Sequence, residues 1–322
     1  MTSRVMKGVL KYSIAFILIT VIFYYLLSNG YFDVLEKVTI NDFLILTSIT
    51  FFSYCVAGLQ IYYLTKVQNG ILIKLADVVL LPISMSLFSY IIPTNGGMLY
   101  SVFFLKKKYN VDSSKGFSIG VVSIYISFII TGVFGVISIA VIDNVNLWVL
   151  PISVALIISP VILHFFNALF KQFRFRKDTI WFRIQNYIDS IIKSANQMMK
   201  HRKVVMVNIV ISLLYFVLVY FSYQWMSHIL DLNLSITSIF VIILITRISS
   251  LIRLLPGNLG LEEMYMAGIF KFIGQSVGVG IVFTLLLRLT TVVLFIPLGI
   301  IHFLVNLEYL KINDLRDYIR SN

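Results

Sequence analysis

Apolar runs long enough to cross a bilayer recur along the whole chain, and no other feature constrains its fold as much. They fall at about 8–27, 43–64, 79–105, 117–141, 147–169, 204–230, 235–274 and 277–305. A helix needs about 20 apolar residues to span the hydrocarbon core. Charged residues make up 12% of the chain, against about 25% in soluble domains. The expected fold is therefore an all-α, polytopic membrane bundle in one transmembrane domain, 1–322. The first run follows Arg4, Lys7 and Lys11. It is long and lacks a small-x-small cleavage site, so it reads as a retained span and not a signal peptide.

The formal net charge is +12. In so apolar a chain this excess fits basic loops kept on the cytoplasmic side, and nucleic acid is not expected as a partner. Cys55 is the single cysteine and the four histidines are scattered, so neither an intramolecular disulfide nor a metal site is expected. No Walker loop, nucleophile elbow or dinucleotide fingerprint occurs. No cofactor and no catalytic residue is expected.

Loop charge sets the topology. The basic N-terminus is placed inside, and the 28–42 loop, with Asp33, Glu36 and Asp42, outside. The 65–78 loop, with Lys66, Lys74 and Asp77, and the run Lys106–Lys108 both read as inside. The segment 79–105 then enters and leaves on the same side. One span cannot do that, but a re-entrant hairpin can. Its break is "IIPTNGG", Ile91 to Gly97, where Pro93 removes a donor and Asn95, Gly96 and Gly97 favour a turn.

The segment 235–274 has a matching break at "LLPGNLGLEE", Leu254 to Glu263. On this reading the first hairpin opens inward and the second outward, the relation of an inverted pseudo-repeat. The bundle then has about six full spans plus two interrupted hairpins, with both termini cytoplasmic; eight plain spans is the alternative count. Interrupted segments in corresponding halves are the usual sequence pointer to a transporter site.

Candidate site residues cluster at these breaks. In the second they are Arg247, Arg253, Pro256, Gly257, Asn258, Gly260, Glu262 and Glu263, with Arg288 from the last span. In the first they are Pro93, Asn95, Gly96 and Gly97. Arg253 and Glu263 are equally far from Asn258 and can meet across the hairpin. Arg288 lies too deep to snorkel and calls for an internal partner, Glu262 or Glu263. A helix starting after Gly260 presents free amides to anions, which with the arginines suggests a cradle for a lipid phosphate, unless Glu262 caps those amides. An ion pair that only staples the hairpin is the plainer alternative. Ser84, Ser86 and Ser89 read as packing or backbone-bonded hydroxyls, Lys106–Lys108 as topology markers, and His302 as an ordinary helix residue.

The 170–203 loop is the most basic stretch. Within it, Trp181, Ile184, Ile188, Ile191, Ala195 and Met198 fall near helical spacing. This suggests an amphipathic helix on the cytoplasmic membrane surface, the alternatives being one packed beneath the bundle or docked on a partner.

"RLLPGNLGLEE", then "LLLRL" and "PLG", resembles the second signature of the lysylphosphatidylglycerol synthase transmembrane, or flippase-like, family. Pro256, Gly257, Gly260, Glu263 and Arg288 match that pattern, and Asn258 stands where a second glycine is usual. In the first signature Pro93 and Gly97 match, while Met98 and Ser101 replace the usual acid and base. The resemblance implies a stand-alone member, lacking the aminoacyl-transferase domain, in the plasma membrane. It implies translocation of an anionic phospholipid or polyprenyl-linked lipid between leaflets. A non-catalytic accessory of envelope lipid or glycan synthesis, docking the synthesis enzymes, and a membrane lipid transferase are the competing readings.

Overall fold

The computed structural model describes residues 3–92, 95–141, 149–172, 179–249 and 254–310. Among these there is no strand. The helices are α1 (Ser3–Ser28), α2 (Ile40–Asn69), α3 (Leu75–Ile91), α4 (Gly96–Tyr109), α5 (Ser113–Val141) and α6 (Val149–Gln172). They continue as α7 (Ile180–Lys200), α8 (Arg202–Ile229), α9 (Ile236–Ser249), α10 (Leu261–Phe272), α11 (Val277–Leu294) and α12 (Ile300–Val305).

Four stretches are long and apolar enough to cross a membrane: Ile40–Asn69, Ser113–Ile139, Arg202–Ile229 and Val277–Val305. Their surfaces are apolar as well. Along α8, Met206, Val210, Leu214, Val217 and Phe221 form an exposed stripe at three- and four-residue spacing, a face suited to lipid and not to water. Many hydroxyls inside the helices are satisfied locally. Thr50, Ser53, Thr65, Ser123 and Thr131 each donate to the carbonyl four residues back, as an apolar surrounding requires. The protein is a polytopic helical membrane protein.

The chain falls into two compact units. Unit 1 comprises Met1–Ser53, Ile83–Gly97 and Val217–Ile301; unit 2 comprises Tyr54–Pro82, Met98–Phe216 and His302–Asn322.

In unit 1, the start of α4 folds back on the end of α3. A Cβ on Gly97 would overlap the Met85 carbonyl and the Ser89 hydroxyl, and one on Gly96 the Phe88 carbonyl. Only glycine lets the two backbones lie this close. Ser89 itself donates to Met85 O at 2.9 Å. Asn95 turns the chain into α4 with φ 64°, a left-handed conformation that asparagine tolerates better than other side chains. Further along, α10 packs on α9 and α11. Pro297 has no N–H to give, and the helix widens there into a π turn over Phe295–Gly299 before α12. At one end of the unit Lys37 Nζ reaches Asp231 Oδ2 at 2.7 Å, and Gly278 lies against the Tyr31 ring. The 28–42 connection, expected outside, thus touches the turn that follows α8.

In unit 2, α5 packs on α6 and α7. Pro82 inside α3 leaves the Val78 carbonyl without its helical donor, and Gly58 of α2 sits directly on that oxygen. The amphipathic helix expected after 170 is α7, with Thr179 Oγ1 accepting from Phe182 N at its start. The helix does not lie free: Ala195 and Met198 in its second half are buried, and Tyr187 in its first half meets Phe117 of α5 edge to face. Of the six apolar residues, Trp181 and Ile184, near the N-terminus, are exposed. α7 packs on α5, as in the alternative of a helix held against the bundle, while its exposed N-terminal apolar residues keep the membrane-surface reading open.

Candidate functional site

The second break begins after α9. The chain reappears at Leu254 and makes a single 3-10 turn over Pro256–Asn258. Proline starts it, since φ is already set and no donor is lost. Gly257, Asn258 and Gly260 all take positive φ, at 56°, 50° and 84°. A side chain on Gly257 would strike the Tyr90 ring, and one on Gly260 would strike Leu18 of α1. Asn258 serves in the family's glycine position because a left-handed backbone is the requirement there, and asparagine is the L-residue that meets it at least cost. α10 then starts at Leu261.

Into this turn points Arg288, from the middle of α11 and 8% exposed. Its Nη1 donates to Gly257 O at 2.9 Å and to Tyr90 Oη at 3.1 Å. Its Nη2 donates to Asn258 O at 3.1 Å and to Glu262 Oε2 at 2.8 Å. Nε lies 2.5 Å from Glu263 Oε1, an ion pair whose N–H is off-line for a hydrogen bond. The Tyr90 ring flanks the guanidinium, 5.8 Å from centroid to Cζ, and is itself braced by Phe295.

The geometry bears on two expectations. Of the amides expected to attract an anion at the start of α10, that of the capping residue Gly260 is taken, because Glu263 Oε2 accepts from it at 2.8 Å. It is Glu263, not Glu262, that caps α10. Arg288, expected to need Glu262 or Glu263 as an internal partner, meets both, and its Nη hydrogens are committed to the protein. A carboxylate caps a helix start better than a distant phosphate because it is tethered three residues away. The three charged groups sum to −1, and the side chain of Glu262 is 38% exposed while that of Glu263 is 2% exposed.

The remaining expected residues are distributed as follows. Asn95, Gly96 and Gly97 shape the first break, and Tyr90, five residues before Asn95, carries that segment to the second. Arg247 occupies the last turn of α9, half-buried. Arg253 and Pro93 lie outside the described residues, and with them the expected Arg253–Glu263 pairing. Tyr90 was missed by sequence reasoning. A lone aromatic hydroxyl just before a helix break was its only signal.

A broken helix clamped by a buried arginine of a membrane-length helix defines the class: a polytopic membrane protein with an ionic node inside an apolar bundle. The chain belongs to the lysylphosphatidylglycerol synthase transmembrane-region family, whose family model matches residues 8–299. That places it among membrane proteins of lipid-related processes. No curated protein and no solved structure is detectably similar to it.

Proposed function

We propose that this protein moves a lipid headgroup between leaflets, and that the Arg288-clamped turn handles the headgroup. The observation that carries this reading is the node itself. Each ionisable residue at mid-helix costs about 2.5–3.5 kcal/mol on insertion scales. Three such groups gathered at a helix break, in a chain with 12% charged residues, are hard to account for as structure alone. Glu262 is the member with an exposed edge, and it is the group offered to the headgroup. Arg288, Glu263 and Tyr90 hold the turn that presents it.

The substrate class is a phospholipid or polyprenyl-linked lipid whose tails stay in the bilayer. The role is transport, not catalysis. Loop charge supports cytoplasmic termini, and the plasma membrane is the location that goes with this reading. The committed Nη hydrogens favour a second reading, in which the node is only a staple and the protein is an accessory of envelope lipid or glycan synthesis.

Proteoliposomes separate the two. Fluorescent anionic, zwitterionic, aminoacylated and polyprenyl-linked lipids are loaded symmetrically and quenched from outside. Acceleration by wild type that is lost in Glu262→Gln, at unchanged thermal stability, supports headgroup handling at the turn. Equal acceleration by both moves the headgroup elsewhere. No acceleration with any of these lipids favours the accessory.

A further inference from the structure

Unit 2 holds a second group of buried ionisable side chains. Asp77, in the first turn of α3, is 3% exposed, and His302 on α12 is 2% exposed. His302 Nε2 lies 3.2 Å from Asp77 Oδ1. Asp77 Oδ2 takes Lys108 Nζ at 2.7 Å and the Tyr109 hydroxyl. Lys108, from the last turn of α4, also donates to Asn306 Oδ1 at 2.6 Å. Asn306 in turn donates to the His302 carbonyl. On the far side of the imidazole, Nδ1 faces the Tyr100 hydroxyl at 3.4 Å. The rings of Tyr109 and Tyr309 flank the Lys108 ammonium, and Phe104 packs on the imidazole. Neither the topology-marker reading of Lys108 nor the ordinary-helix reading of His302 fits this burial.

The charges are arranged for exchange. One carboxylate is shared by a lysine and a histidine. With Lys108 in place and His302 neutral, the group sums to zero. The imidazole then donates from Nε2 to Asp77, and Nδ1 can accept from Tyr100. Adding a proton at Nδ1 reverses only the last bond, since a tyrosine hydroxyl serves as donor or acceptor by rotating. The cost is a second cation beside Lys108 in a low-dielectric site, where like charges repel strongly. That cost falls when the Lys108 ammonium, carried on the last turn of α4, leaves Asp77.

We propose that Asp77, Lys108 and His302 form a proton-binding site in which a proton on His302 and the ammonium of Lys108 compete for the Asp77 carboxylate. One proton enters from water at His302 Nδ1 as Lys108 leaves, keeping its own protons; one proton leaves as Lys108 returns. Affinity for the proton and affinity for the docked lysine are then reciprocally linked. The α3–α4 base, which Asp77 and Lys108 join, becomes proton-sensitive. Such a site is what a helical bundle needs to draw on a transmembrane proton gradient. That last use rests on the translocation reading above, whereas the competition does not.

The test reads the imidazole directly. Purified protein labelled with 15N-histidine carries four histidines, and His302→Gln identifies the fourth signal. The pH at which the His302 ring signal changes is compared among wild type, Lys108→Met and Tyr109→Phe. Competition predicts that this pH rises by about one unit or more, a tenfold gain in proton affinity, in Lys108→Met. It predicts a smaller rise in Tyr109→Phe, which strips one donor from Asp77 while keeping the ring. Lys108→Arg, which keeps the charge, stays near wild type. A ring signal that does not change between pH 5 and 9 in any of them overturns the proposal. So does a midpoint that Lys108→Met and Tyr109→Phe leave in place. Should Lys108→Met fail to fold, Tyr109→Phe alone decides. None of these readouts depends on whether a lipid is moved.

Discussion

Arg288 Nε and Glu263 Oε1 lie 2.5 Å apart, joining the middle of α11 to the first turn of α10. Both side chains are buried: Glu263 without Arg288 would be a stranded charge, and Arg288 without Glu263 would keep only the part-exposed Glu262 as its counter-charge. Removing one partner of a buried pair costs about 3–5 kcal/mol. Arg288→Leu is therefore expected to lower the melting temperature in detergent sharply, and Glu263→Gln to follow in the same direction. Glu262→Gln should shift it far less, on the order of 1 kcal/mol or under, because its carboxylate is part-exposed. Equal losses in all three would contradict the division between a clamp and a presented carboxylate.

The turn's glycines answer to different demands. Asn258→Gly should leave melting and expression near wild type, since both residues accept φ 50°. Asn258→Val should cost about 1–2 kcal/mol for the left-handed backbone alone. Gly257→Ala has the same φ problem and adds a clash with Tyr90, so it should be the worse of the two. Stability of the three variants, measured side by side, checks the order.

Tyr90 reaches the node with both its ring and its hydroxyl. Tyr90→Phe removes the bond to Arg288 Nη1 and keeps the packing on Gly257 and Phe295. A hydrogen bond to a charged group is worth about 1.5–3 kcal/mol, which sets the expected loss. Tyr90→Ala loses the packing too, and should exceed it. The comparison tells whether the first break is held to the second by polarity or by shape.

Lys37 hydrogen-bonds Asp231 and holds its carboxyl below the ordinary aspartate range. A lowered folded-state value means that the contact contributes above the unfolded-state titration and is lost as pH falls through the folded-state one. Both side chains are largely exposed, so the contribution is small and screened by salt. Asp231→Asn should match wild-type melting at neutral pH in about 0.15 M salt. A clear loss there would mean the pair does more than touch at the surface.

Much of this was legible in one dimension. Apolar runs announce membrane helices because hydrocarbon leaves the backbone no other partner than itself. The breaks are legible for the same kind of local reason. Proline withdraws a donor and paired Gly or Asn admits positive φ, so α3 stops at Ile91 and α4 begins at Gly96, whatever surrounds them. That Arg288 needed an internal partner followed from depth alone. The family's Pro-Gly pattern could be matched position by position because each position is a backbone requirement.

Partner choice was not legible, since it depends on which helices lie side by side. Glu263 caps its own helix and meets an arginine 25 residues away, and so fills one of the places that an anion was expected to take. Asp77 and His302 are separated by 225 residues, and no spacing rule links an acid in a loop to a histidine in the last span. Tyr90 looked like any aromatic until Gly257 left room for its ring. The sequence by itself determined the helices, their apolar faces and the places where they break, because these follow from backbone chemistry over a few residues. Only the tertiary structure decided which buried charges neutralise one another, because that requires two distant segments to occupy one dry, low-dielectric place.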